Sequence, residues 1–162
     1  MAIEYGLYLE TPISAPRIAE EFARSISEDF GVGVGDGSID QQILDPGFKT
    51  MQGLWIRVIP GSPPEWHPVV SDLGITPTVR VAYRIDKFED SERQTETMIG
   101  LTMALLDELV GDAALTRDLE QVWLLRKGGV LYLNERDDLW TPSRIGLVSS
   151  PYQRLTYTFS SE

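Results

Sequence analysis

Two adjacent glycines between apolar runs constrain the fold of this chain more than any other feature of its sequence. The apolar runs at 122–125 and 130–133 flank Arg126, Lys127 and the pair Gly128-Gly129. Consecutive glycines allow the positive φ angles that both central residues of a type I′ turn need. The pattern predicts a tight β-hairpin with Arg126 at an exposed tip. Because both faces of its strands are largely apolar, we expect the hairpin to be covered within a sheet.

Other parts of the chain carry strand patterns. Alternating apolar and polar residues predict strands at 3–10, 78–87 and 152–160, and an apolar run predicts another strand at 54–59. In the second of these strands, Arg80, Ala82, Arg84 and Asp86 occupy the face opposite Val79, Val81, Tyr83 and Ile85. We therefore expect this strand to meet the core on one face and water on the other.

Two longer stretches predict amphipathic helices. The first is expected from Ser14, a suitable N-cap, to Gly31, with an apolar residue at every fourth position. The second starts at Ser91, which together with Gln94 matches a capping box, and ends near Gly111. A short helix is also predicted after the N-cap Thr141.

The order of these elements predicts an α+β fold in a single domain over residues 1–162. We expect a single mainly antiparallel sheet with the two amphipathic helices packed on one face. Trp55, Trp123 and Trp140 lie within or beside apolar strands and are predicted to belong to the core.

Charge and composition exclude several classes of protein. The chain of 162 residues has a net charge of −11 and no cysteine. A charge of this sign repels nucleic acid and anionic membranes, and it attracts a basic partner or simply favours solubility. The apolar runs are too short for a membrane span, and the missing cysteines exclude thiolate metal sites and fit a reducing compartment.

The sequence offers no convincing catalytic or metal-binding motif. His67 is the only histidine, and it lies between Trp66 and Pro68, where a structural role is favoured. The glycine-rich stretch at 31–38 lacks the last glycine of a dinucleotide fingerprint, and the adjacent acids at 107–108 and 137–138 are typical of solvated surfaces. We therefore expect a protein that is not an enzyme and that holds no cofactor or metal.

One acidic segment is a candidate for binding a partner. Asp36, Asp40 and Asp45 belong to an acidic, glycine-rich segment that has weak helix or strand character and no Lys or Arg. Loops of this kind often carry binding residues because a rigid scaffold can present them. Trp66, in a proline-rich loop, is predicted to lie at the surface and to serve as an anchor.

Several segments together resemble the immunity proteins of the swarming-inhibition (Sit) polymorphic-toxin class. The resemblance lies in AIEY at 2–5, VWLLRKGG at 122–129, LYLN at 131–134 and DLWTP at 138–142. It covers about the first ten residues and roughly residues 120–152. These motifs are structural, and the family has no catalytic residues to transfer.

The resemblance implies a small cytoplasmic protein that binds and neutralises a cognate protein toxin delivered by related bacteria. The acidity of the chain predicts a basic surface on that toxin. Two alternatives remain open at this point. The first is a small-ligand-binding protein or enzyme with a pocket between the helices and the sheet. The second is an oligomerising module that uses an exposed sheet edge.

Overall fold

An eight-stranded sheet organises the fold. The computed structural model describes residues 2–30 and 38–159. The strands are β1 (Ala2–Leu9), β2 (Phe48–Lys49), β3 (Trp55–Pro60), β4 (Val79–Asp86), β5 (Ala113–Arg117), β6 (Gln121–Lys127), β7 (Val130–Leu133) and β8 (Gln153–Arg154). Within the described ranges the helices are α1 (Ala15–Phe30), α2 (Ile39–Leu44), α3 (Pro68–Ser71), α4 (Ser91–Glu108) and α5 (Pro142–Ile145).

The strands lie in the order β2-β3-β4-β1-β5-β6-β7-β8. The neighbours are antiparallel from β2 to β7, whereas β7 and β8 are parallel, so the sheet is mixed. The segment with α5 carries the chain back between these two strands, as a parallel connection requires. The last predicted strand, at 152–160, is wrong in length because only Gln153 and Arg154 pair with β7.

The prediction of two helices packed on one face is wrong, although the α+β class is confirmed. The largest core lies between the sheet and α1, α2 and α4, and α5 contacts its border through Ile145. The short α3 packs instead on the opposite face, where Val69 joins Tyr8 and Leu125 in a second cluster. Neither α2 nor α3 is long enough to produce a clear helical period in the sequence.

The start of α4 differs from the predicted capping box. Asp90 is the N-cap, and its side chain accepts a hydrogen bond from the backbone N–H of Arg93. Gln94 is fully buried and exchanges two hydrogen bonds with the backbone of Asp86, at 2.8 and 2.9 Å. The predicted capping glutamine therefore fastens the helix to the end of β4 instead of capping it.

The end of α4 is held by Arg126, which was predicted to lie at an exposed hairpin tip. Its guanidinium donates hydrogen bonds to the carbonyl oxygens of Leu106, Leu109 and Gly111, at 2.6, 2.8 and 2.9 Å. Burial lowers the pKa of Arg126, and the charges of Asp107 and Asp112 oppose that shift. The hairpin therefore stabilises the last turn of the helix through its arginine.

The predicted hairpin turn itself is confirmed. Gly128 and Gly129 have φ angles of 59° and 81°, and β6 pairs with β7 up to Lys127 and Val130.

A stricter steric constraint acts at Gly111, which joins α4 to β5. Its φ is 120°, and a Cβ atom at this position would lie 2.0 Å from the carbonyl oxygen of Glu10.

None of the helices in the described part of the chain combines the length and the apolar character that a membrane span needs.

We predict that Gly111→Ala destabilises the protein by about 3 kcal/mol or more, because strain at positive φ is added to a backbone clash. Gly61→Ala is the matched control, since Gly61 has a φ of 115° and nothing within 4 Å of its Cβ position. The control should cost only about 1 kcal/mol. Urea unfolding measures both values, and equal losses would show that the contact with Glu10 is unimportant.

We predict that Arg126→Met lowers the free energy of unfolding by about 2–3 kcal/mol, because carbonyl groups at the end of α4 lose charged donors. Methionine keeps most of the apolar volume of the side chain. Arg93→Met, at an exposed position near the start of α4, serves as the control and should change stability by less than about 0.5 kcal/mol. An unchanged urea midpoint for Arg126→Met would contradict the capping role.

Candidate functional site

The face of the sheet opposite the main core is exposed or half-exposed along β3 and β4 and at Glu4 and Gly6 of β1, whereas Tyr8, Ala114 and Thr116 on the same face are buried. Its side chains form three rows across β3, β4, β1 and β5. Cross-strand pairing aligns Trp55, Arg84 and Glu4 in the first row, called the Trp55 row. It aligns Arg57, Ala82, Gly6 and Thr116 in the second row, the Ala82 row. It aligns Ile59, Arg80, Tyr8 and Ala114 in the third row, the Arg80 row.

The difference in side-chain size between these rows creates a groove. The Ala82 row has small side chains at its centre, whereas the rows on either side carry aromatic and arginine side chains. The resulting hollow has a volume of about 410 Å³ and ends near Asp118 and Leu119. We call it the transverse groove because it crosses the strands. Gly6 and Ala82 on its floor are half-buried although they belong to two interior strands of the sheet, β1 and β4.

The Trp55 row is held together by contacts between its own side chains. The guanidinium carbon of Arg84 lies 4.6 Å from the centroid of the Trp55 ring, within the range of a cation–π contact. The same arginine donates a hydrogen bond of 2.8 Å to the carboxylate of Glu4. Trp55 is therefore half-exposed on this face, and its predicted place in the core is wrong, whereas Trp123 and Trp140 are buried as predicted.

The groove is less acidic than the protein as a whole. Arg57, Arg80 and Arg84 line it together with Glu4 and Asp118, and Asp45 lies 3.7 Å from Arg57, so the local charges balance at +3 − 3 = 0 in a chain whose net charge is −11. Arg84 is paired with Glu4, but Arg80 has no carboxylate partner in the part of the chain that the structure describes. Its exposed guanidinium interacts with the hydroxyl of Tyr8, and a bound carboxylate could neutralise its charge.

A second hollow continues the groove past the Arg80 row and brings His67 beside Tyr8 and Arg80. Burial lowers the pKa of His67, and the charge of Arg80 lowers it further. Its neutral Nδ1 accepts a hydrogen bond from the N–H of Val69, so His67 caps α3. Burial raises the pKa of Tyr8, and Arg80 opposes that shift. This arrangement gives His67 a structural role.

The four residues predicted to bind a partner do not form a single cluster in the described structure. Asp36 lies outside the described residues. Asp40 is half-buried in the first turn of α2. Asp45 follows α2, where its exposed carboxylate lies 3.7 Å from the guanidinium of Arg57 in the groove. Trp66 is 77% exposed, as predicted. It precedes His67, which lines the adjoining hollow.

Sequence reasoning missed the arginines and the tryptophan of the groove, although a signal for them was present. Arg80, Ala82 and Arg84 were assigned to the face of β4 that meets water, but β3 was predicted only as an apolar strand, with Trp55 in the core. The alternation of Trp55 and Arg57 with buried Ile56 and Val58 shows that β3 shares the same open face.

Within the described ranges, no group of three or more acidic, His or Cys side chains could hold a metal ion.

The site is a shallow groove that is lined by charged side chains and by the half-exposed ring of Trp55. No curated protein and no solved structure matches this chain. A family model described as SitI3-like matches residues 3–144, which is most of the chain, and it extends through the middle of the sequence, where the motifs gave no resemblance. The chain therefore belongs to the SitI3-like family.

Proposed function

We propose that this protein is an immunity protein that neutralises a cognate protein toxin by binding it directly. Membership of the SitI3-like family is the observation that carries the proposal. The open sheet face supports it, because a groove with arginine and tryptophan side chains has the composition of residues that dominate binding energy in protein interfaces.

The alternative of an enzyme or small-ligand protein placed the site between the helices and the sheet. That space is occupied by the main core, in which Phe22, Tyr83 and Met98 are almost fully buried. The hydroxyl of Tyr83 is bound to Thr102 at 2.8 Å and is not offered to a ligand. We therefore favour binding of a macromolecule on the opposite face over catalysis in the interior.

A direct test uses the toxin encoded beside the gene of this protein. Co-expression with the wild-type chain should restore growth of cells that produce the toxin, and the two purified proteins should form a stable complex in size-exclusion chromatography. Growth that is not restored, or restored growth without a complex, would contradict neutralisation by direct binding.

We further propose that the acidic segment, with Asp36, Asp40 and Asp45, steers the protein to a basic toxin surface and that Trp66 contacts it. Changing the three aspartates to asparagine should slow association by roughly tenfold at low salt, because electrostatic steering accelerates encounter. The thermal midpoint should change little. Stopped-flow or surface-plasmon-resonance measurements at several salt concentrations give the association rates.

The matched control replaces Glu108, Glu120 and Glu135 with glutamine, which changes the net charge by the same amount at exposed positions elsewhere. A smaller effect in the control supports a local role for the acidic segment. If both triple variants slow association equally, net charge alone steers the protein. If neither variant changes the rate or its salt dependence, the acidity does not guide binding.

A further inference from the structure

We propose that the transverse groove holds an extended segment of the toxin, with an acidic side chain bound by Arg80. The inference rests on the proposed function and specifies its contact surface. The toxin would then carry two features. Its basic surface would be attracted by the net charge of the chain, and a local acidic segment would bind in the groove.

The dimensions of the groove fit a short stretch of extended chain. The exposed floor crosses three adjacent strands, from Arg57 on β3 to Gly6 on β1, because Thr116 on β5 is buried. Neighbouring strands are about 4.8 Å apart, so this floor spans about 10 Å. An extended chain covers roughly 3.3–3.6 Å per residue, so about three residues would fill it. The small side chain of Ala82 leaves room for a backbone to lie close to the sheet, whereas the ring of Tyr8 covers Gly6, where a Cβ atom would lie 2.9 Å from it.

The chemistry of the walls selects the charge of the occupant. Arg80 rises from the row on one side of the floor and Arg84 from the row on the other side, and Arg57 lies at one end. Arg80 has no ion-pair partner among the described residues, so a bound carboxylate would displace no other carboxylate and would compete only with the hydroxyl of Tyr8. Guanidinium groups bind carboxylates through two parallel hydrogen bonds, which orients the bound side chain.

The apolar parts of the walls add a place for an uncharged side chain. Trp55 is half-exposed, and its ring is fixed by the guanidinium of Arg84 on one face. Ile59 is half-exposed at the corresponding position of the other wall. A segment that alternates acidic and apolar residues would place a carboxylate on Arg80 and its apolar side chains on these two residues.

Other occupants fit the observations less well. Nucleic acid would offer phosphate groups to the arginines, but the net charge of −11 repels a polyanion over its whole length. A second copy of the chain would carry the same net charge and would be repelled as well. A toxin with a basic surface and a local acidic segment meets neither objection.

The test uses Arg80→Glu, which reverses the unpaired charge, and Ala82→Trp, which fills the floor. The control is Arg93→Glu, which makes the same change of charge at an exposed position on α4, on the helix side of the sheet. The probe is a short peptide that alternates glutamate and leucine, compared with the same peptide containing glutamine. Nuclear magnetic resonance titration shows which amides shift, and spectra of the free variants confirm that they fold.

We expect the glutamate peptide to shift the amides of β1, β3 and β4 in the wild type and in Arg93→Glu, and the glutamine peptide to bind more weakly. Arg80→Glu should weaken binding by roughly tenfold or more, and Ala82→Trp should do so without a change of charge. Binding that is absent in the wild type, or unchanged in Arg80→Glu, overturns the proposal. A wild-type dimer that Arg80→Glu dissociates also overturns it, since a second copy would then fill the groove.

The same variants in cells that produce the toxin separate this inference from the proposed function. If the wild type and Arg93→Glu protect the cells and Arg80→Glu does not, both are supported. If Arg80→Glu and Ala82→Trp protect as well as the wild type, the protein is an immunity protein that does not use the groove. If the wild type gives no protection, the proposed function fails, whereas a positive peptide titration would still establish the groove as a site for acidic segments.

Discussion

The pairing of β1 on both of its edges is the constraint on which the rest of the structure depends. The strand makes an antiparallel ladder of eight residue pairs with β4 and another of five pairs with β5, so the first strand in the sequence lies at the centre of the sheet. Its two faces then have different tasks. Leu7 and Leu9 are buried beneath the helices, while Gly6 and Tyr8 form part of the floor and wall of the groove. A shift of β1 by one residue would exchange these faces and destroy the core and the groove together.

The parts of the fold that depend on neighbouring residues could be predicted from the sequence. The turn at Gly128 and Gly129 is set by the φ angles that glycine allows, and the cap at Thr141 by a side-chain oxygen three residues before the N–H it accepts from. The pairing of β1 with β4 and β5 brings together residues far apart in the chain, and no local pattern encodes it. The role of Arg126 at the end of α4 was not predicted for the same reason, because its hydrogen-bond partners there lie 15–20 residues earlier in the chain.

Only part of the groove could be predicted from the sequence, because an alternating pattern shows which residues share a face of a strand but not what lies on that face. The pattern of β4 separates Arg80 and Arg84 from the buried face, but it does not say whether another element covers them. Trp55 was assigned to the core because it lies within an apolar strand, and only the position of β3 beside β4 places its ring over the sheet next to Arg84. The acidic segment is a composition signal. Asp45 comes near the groove because the end of α2 lies beside Arg57, a contact between residues twelve positions apart.

A long-range and a short-range electrostatic interaction both act at this surface, and together they restrict which proteins can bind. The net charge of −11 acts on an approaching partner as a whole, within a Debye length of about 10 Å at 0.1 M salt, and favours a basic surface. Arg80 acts only on contact, and a uniformly basic partner would leave it facing like charges in the groove. A uniformly acidic partner would suit the arginines but would be repelled by the rest of the chain. A partner that carries both signs in the right places satisfies both conditions, and such a requirement rejects wrong partners more strongly than either attraction alone.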